Sequence, residues 1–168
     1  EPPRSARPVF CRLCLGFRGV VYVFRLLAVP LVAPRAGAGR VGAVCRRARD
    51  EGGPDIRLQV LVYPVTDMTL SHPSMTEHGV GYNLTQEIMV WFRDLYLPNQ
   101  ETQSDPDASP LFADDFGNLP RAFIIAAGFD PLRDEAKAYA DALSSAGVEA
   151  EHVCYDGMIH GFLNMPAV

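Results

Sequence analysis

Two side chains able to do proton chemistry sit at comparable places in this chain, Asp130 and His160. Each lies just past a short apolar or alternating run that reads as a β-strand. A carboxylate beside an imidazole is an acid–base pair. The carboxylate selects the imidazole tautomer and stabilises the protonated ring. Taken singly, each residue has a plainer reading. Asp130-Pro131 has the form of a helix N-cap followed by proline at the first helical position, and His160 alone reads as a surface-loop histidine. Other candidates are weaker. Cys11-Arg12-Leu13-Cys14 is a lone C-x-x-C with no second pair and no nearby histidine, whereas a structural zinc site needs four ligands. Cys154 alternates with apolar residues and reads as a small core side chain. His72 and His78 lie in a loop, with no carboxylates at metal spacing, and read as solvated. Nothing in the cysteine pattern requires an oxidising compartment.

The elements that must position Asp130 and His160 are legible around them. Leu58–Tyr63, ended by Pro64, predicts a buried parallel strand, and Ala122–Ala127 a second. Gly128-Phe129-Asp130-Pro131 turns the second strand into a helix with Leu132, Ala136, Tyr139, Ala140 and Leu143 inward. Asp134 and Glu135 decorate its first turn, where acids are favoured, and Gly147 is its C′ glycine. Glu151–Tyr155 predicts a third strand, and Asp156-Gly157 opens the loop that carries His160. Strand, helix, strand at this spacing implies a right-handed βαβ unit in a parallel sheet. Ligands bind such sheets at the carboxyl ends of the strands, where both residues fall.

Upstream, Val41, Val44, Cys45 and Ala48 have helical spacing, stopped by Gly52-Gly53-Pro54. Val65–Tyr82 reads as loop. Asn83 then caps a helix with Gln86 as its capping-box partner, and Leu84, Ile88, Trp91, Phe92 and Leu95 form one apolar face. Asn83-Leu84-Thr85 also matches a glycosylation acceptor, but the cap accounts for these residues better. Pro98 ends the helix, and Asn99–Pro120 is a long polar loop.

The chain has 168 residues, room for one domain with a core. Its charge is unevenly spread. Residues 1–49 carry ten arginines and one acid, Glu1, for a net of +9, while residues 50–168 carry nineteen acids and five bases, for a net of −14. A basic tail would point to nucleic acid or an anionic surface, but these arginines are scattered among Val, Leu, Phe and Pro. Residues 1–33 form an atypical Arg/Pro-rich segment of the kind that a shifted frame in GC-rich DNA produces. Its apolar runs, Gly19–Phe24 and Leu26–Pro34, are interrupted by Arg25 and Pro30 and fall short of the ~18 residues of a membrane span.

Three motifs carry a family resemblance. Tyr63-Pro64-Val65-Thr66-Asp67, then Gly128-Phe129-Asp130-Pro131-Leu132-Arg133-Asp134-Glu135, then Tyr155-Asp156-Gly157-Met158-Ile159-His160-Gly161-Phe162 resemble bacterial esterases of the hormone-sensitive lipase family. The likeness covers about residues 41–168, in the order acid before histidine. It implies an α/β fold: the C-terminal part of an α/β-hydrolase, a mostly parallel sheet flanked by helices, with the N-terminal strands missing. Residues 34–168 would be a partial hydrolase domain including part of a cap at about 83–105, and the chain a truncated or damaged copy. The cap helix around Trp91 would either pack as plain core or line an acyl pocket.

The resemblance makes Asp130 the acid and His160 the base of a Ser-His-Asp triad acting on carboxylic esters without cofactor or metal. The same comparison exposes departures. Ala36 falls where the nucleophilic serine of the elbow belongs, Arg35 replaces its preceding acid, and Pro34 the first elbow glycine. That turn is sharp and needs glycine. Gly37 matches the residue whose N–H serves the oxyanion hole, but the H-G-G-G motif that supplies the second donor is absent. The expected function is therefore an ester hydrolase inactive as given. The alternative is a pseudoenzyme or binding protein on a hydrolase scaffold. A small acyl-ester substrate, a homodimer, a cytoplasmic setting, no membrane span and no nucleic-acid partner complete the expectation.

Overall fold

The structure, a computed structural model, describes residues 22–24, 40–97 and 99–165. Its elements in chain order are β1 (Tyr22–Phe24), α1 (Arg40–Asp50), β2 (Leu58–Val62), α2 (Pro73–Glu77), α3 (Gln86–Tyr96), β3 (Arg121–Phe129), α4 (Arg133–Ser145) and β4 (Ala150–Ile159). The sheet runs β1-β2-β3-β4. β2, β3 and β4 are parallel, with Leu58 beside Arg121 and Ala122 beside Ala150. The parallel sheet expected from the motifs is therefore present.

β1 was not foreseen. It pairs antiparallel with β2, Tyr22 opposite Val60, inside the atypical Arg/Pro-rich segment. Three residues of a β-branched and aromatic run are enough to cover the open edge of β2, whose backbone groups otherwise lack partners. Ala36, its neighbours and Cys11-Cys14 lie outside the described residues.

The main core lies on one face of the sheet. Leu61, Ala122, Ile124 and Ala126 meet Ala136, Tyr139, Ala140 and Leu143 of α4 and Val41 and Cys45 of α1. The helical periodicity read from the sequence is thus the buried stripe of α4. β2 departs from the two-sided burial expected of it: Gln59 and Leu61 are buried, while Leu58 and Val60 are half-buried, because among the described residues α1 and α4 pack against the same face. A second cluster joins Leu70, Met75, Leu84, Met89 and Leu132. It includes the short helix α2, in the stretch read as loop.

The long loop 99–120 is pinned rather than free. Ser109 is buried; its Oγ accepts from the Met68 N–H at 2.7 Å and donates to the Gln103 carbonyl at 2.6 Å. Asp107 takes ion pairs from Arg46 and Arg47 of α1. Some of the N-terminal positive charge is therefore spent on the acidic remainder of the chain, with Arg49 adding bonds to the Asp115 and Gly117 carbonyls at 3.1 and 2.7 Å.

Candidate active site

β3 delivers Asp130 and β4 delivers His160. Gly128, two residues before Asp130, is where the strands press closest. A Cβ there would stand 2.2 Å from the Asp156 carbonyl oxygen, so only glycine fits. The β3–β4 register shifts between Ala127 and Phe129. This irregularity lets β4 continue through Asp156-Gly157, which the sequence reading took for a turn, as far as Ile159. His160 is consequently the first residue past the strand.

The two side chains meet. His160 Nδ1 lies 2.8 Å from Asp130 Oδ2, and both residues are buried. A carboxylate only accepts, so Nδ1 carries the proton and Nε2 is the basic nitrogen. The other oxygen, Oδ1, accepts from the Leu132 N–H at 2.9 Å. Asp130 is therefore not the helix N-cap, and Pro131 is not the first helical residue: α4 begins at Arg133, behind Leu132 at the cap position. Its side chain closes a local turn with one oxygen and holds the imidazole with the other.

Four further contacts hold the histidine loop. Tyr63 follows β2 with φ 41°, a left-handed conformation that costs a bulky residue on the order of 1–3 kcal/mol and recurs at functional sites. Its ring centroid is 4.8 Å from that of His160 and 5.6 Å from that of Phe162. Its hydroxyl accepts from the Leu163 N–H at 2.9 Å, and burial raises its pKa above the ordinary phenol value. Asn83 Nδ2 donates to the His160 carbonyl at 3.1 Å. The capping box expected at Asn83 and Gln86 does not form. Thr85 is the N-cap of α3, its side chain accepting from the Ile88 N–H at 3.2 Å, which frees the Asn83 amide for the loop opposite.

His78 is buried, not solvated. Its Nε2 lies 2.8 Å from Arg133 Nη1, and its ring sits 5.7 Å from both Tyr82 and Phe129. Arg133 also donates to Glu77 and Asp134 at 2.7 and 2.8 Å, which joins the loop after α2 to the start of α4. His72 Nε2 approaches Asp67 Oδ2 at 3.6 Å and is also partly buried. Both histidines are drawn inward because α2 packs on α4, an arrangement their local sequence did not signal. Glu135, read as surface decoration, is fully buried. Among the described residues no group of three His, Cys, Asp or Glu side chains could hold a metal ion. Burial pushes the Cys45 thiol up to about 12 and raises that of Cys154, so neither is an activated nucleophile. Cys154 is half-buried and packs on the core.

The apolar stripe expected to pack as core or line a pocket is split: Leu84 is buried in the second core cluster and Phe92 is half-buried, while its other three residues face outward. Ile88, Trp91 and Leu95 are exposed, and Met89 is the buried residue of α3. A cleft of about 430 Å³ lies between α1, the end of α3 and the 102–108 loop, lined by residues including Val44, Arg47, Tyr96 and Asp107. It contains neither Asp130 nor His160. Among the described residues no helix is long and apolar enough to cross a membrane.

Residues 34–164 match the alpha/beta hydrolase fold family. The chain is similar to the carboxylic ester hydrolase LipN of Mycobacterium tuberculosis, 43% identical over 77% of this chain and 36% of the relative. It is also similar to the ethyl acetate hydrolase of Pseudomonas putida, 37% identical over 67% of this chain and 35% of the relative. Among solved structures, the hyperthermophilic esterase of Pyrobaculum calidifontis superposes with a TM-score of 0.73 at 40% identity, over 77% of this chain and 44% of that one. The chain thus spans well under half the length of these relatives. With the motifs, the parallel sheet and the matched region in agreement, the chain belongs to the alpha/beta hydrolase fold family, of the hormone-sensitive lipase type.

Proposed function

We propose that Asp130 and His160 are the acid and base of a carboxylic ester hydrolase triad, and that the chain as given cannot turn over because Ala36 stands where the nucleophile belongs. The observation that carries this reading is the 2.8 Å bond between His160 Nδ1 and Asp130 Oδ2 at adjacent strand ends. In the reaction such a pair serves, His160 Nε2 takes the proton of a serine hydroxyl as that oxygen attacks the ester carbonyl. Asp130 stabilises the imidazolium, and the proton passes to the leaving alcohol. Water then repeats the sequence on the acyl-enzyme. Ala36 has no atom that can attack. The substrate class is a short or medium acyl ester, in keeping with relatives named for ester hydrolysis. Residues 34–168 form the hydrolase unit in this reading, 83–105 part of a cap, and 1–33 an atypical segment. The cytoplasmic setting and the homodimer belong to the same proposal.

The expected result is no hydrolysis of p-nitrophenyl butyrate above a protein-free control and no covalent labelling by a fluorophosphonate. Loss of a triad serine alone removes about 10⁶-fold in kcat. Ala36→Ser is not expected to restore turnover either, since Pro34 and Arg35 stand where the elbow's glycine and acid belong and a missing oxyanion donor costs about 10²–10³-fold by itself. Robust turnover in Ala36→Ser that disappears in Ala36→Ser/His160→Ala would overturn the claim that the elbow is lost.

A further inference from the structure

Three buried carboxyl groups lie near one another, one of them bonded to His160. Asp67, Asp130 and Glu135 are 0%, 1% and 0% exposed. They are not equivalently served. Asp130 faces His160 and the Leu132 amide. Asp67 accepts from the Thr69 amide and hydroxyl at 2.7 and 2.6 Å and from the Ser71 hydroxyl at 2.8 Å, with His72 at 3.6 Å. Glu135 has no cationic partner among the described residues. Its Oε1 accepts from the Thr66 N–H at 2.6 Å and the Asp67 N–H at 3.4 Å, and its Oε2 is buried with no hydrogen-bond partner. An ionised carboxylate with one oxygen unserved, no cation and two acids nearby is costly to bury. A carboxylic acid in the same place keeps Oε1 as acceptor for both amides and carries no charge.

The same residue is a structural joint. Thr66 Oγ1 also donates to the Glu135 backbone carbonyl at 2.9 Å, so the segment after β2 is tied by three hydrogen bonds to the first turn of α4. That segment starts at Tyr63, whose ring lies on His160. The helix it is tied to begins three residues after Asp130.

We propose that Glu135 is held as a neutral carboxylic acid, and that it is a positioning residue referencing the supports of Asp130 and His160 to one buried side chain; the second half rests on the hydrolase reading of that pair. Desolvation points the same way and raises the Glu135 carboxyl well above its ordinary range. The neighbouring Asp67 and Asp130 add to this, while the Thr66 and Asp67 amides oppose it. The linkage sign follows. An acid whose folded-state affinity for a proton exceeds its unfolded value near pH 4.3 holds a proton that the unfolded chain has lost. Its contribution to stability therefore falls as pH rises above about 4.3, and Glu135→Gln abolishes that dependence.

The test uses the chain itself, with no activity needed. Infrared spectra at neutral pH are expected to show a protonated-carboxyl C=O stretch that disappears in Glu135→Gln; a difference confined to carboxylate bands would overturn the neutral acid. The folding equilibrium of the chain relative to Glu135→Gln is expected to fall by up to about tenfold per pH unit above pH 5; a flat or rising ratio overturns it as well. Positioning is read from the downfield Nδ1–H proton resonance of His160. Glu135→Gln, which keeps an acceptor for both amides, retains it. Glu135→Met, of similar volume but with no acceptor, loses it to solvent exchange, together with protection of the Thr66 and Asp67 amides. An unchanged His160 resonance in Glu135→Met would remove the positioning role. Failure of the hydrolase reading leaves the infrared and pH results untouched, so the two ideas fall separately.

Discussion

Helices α3 and α4 look alike in sequence and behave differently in the fold. Both carry apolar residues at helical spacing, and the two are of similar length, Gln86–Tyr96 and Arg133–Ser145. α4 buries the whole expected stripe, with Ala136, Tyr139 and Leu143 at 0%, 1% and 0% exposure. α3 turns most of its stripe outward, with Ile88, Trp91 and Leu95 at 37%, 58% and 66% exposure. Its inward residue is Met89, which joins Leu84, Leu70, Met75 and Leu132. A hydrophobic period thus shows that a helix has a face. It does not show that anything in the described part of the chain covers that face. α4 sits in a βαβ unit, where the connection itself lays the helix on the sheet. α3 has no such obligation and is held by one buried side chain, a cap and the loop before it.

Substitutions that separate the two helices sharpen this contrast. The largest effect is expected at Leu143 and Met89, the fully enclosed positions of α4 and α3. Leu143→Ala and Met89→Ala should each cost about 2–5 kcal/mol in chemical denaturation. A negligible loss in Met89→Ala would mean that α3 is not docked through that residue. Next comes the cap: Thr85→Ala removes the acceptor for the Ile88 N–H and should cost ~1 kcal/mol, seen as faster amide exchange in the first turn of α3 while α4 is unaffected. Exchange that rises equally in both helices would show that they open as one unit. The smallest effect is expected at Trp91→Ser, within about 0.5 kcal/mol in stability, with lower self-association by light scattering because an exposed apolar stripe is interrupted. A loss comparable with that of Leu143→Ala would show that Trp91 is covered in solution.

The same contrast applies to the site. Asp130 and His160 could be named from the chain because each follows an element of unmistakable period, and because their flanking motifs come in the order of a known family. Their supports could not. Tyr63 belongs to the first motif, but its left-handed backbone and its contact with His160 have no local signature. Asn83 carried a stronger local signal, for a cap, that tertiary structure overrode. Glu135 was misread because an acid in a first helical turn is ordinarily solvated; only the approach of the Thr66–Asp67 turn buries it. β1 escaped notice because three residues amid arginines carry no period of their own, and β4 was read too short because Asp156-Gly157 has the composition of a turn.

The sequence by itself determined the parallel strands β2, β3 and β4, the helix α4 between the last two, and the placing of an acid and then a histidine at successive strand ends. These depend on local periodicity and on stop signals within a few residues. Tertiary structure alone decided which Asp130 oxygen meets which ring nitrogen, where the apolar face of α3 points, and which acid in the first turn of α4 is buried. Those outcomes rest on hydrogen bonds between residues 30 apart for Asp130 and His160, 69 for Thr66 and Glu135, 77 for Asn83 and His160 and 100 for Tyr63 and Leu163. Over such separations burial and pairing are set by which elements pack together, and no local pattern of residues encodes that choice.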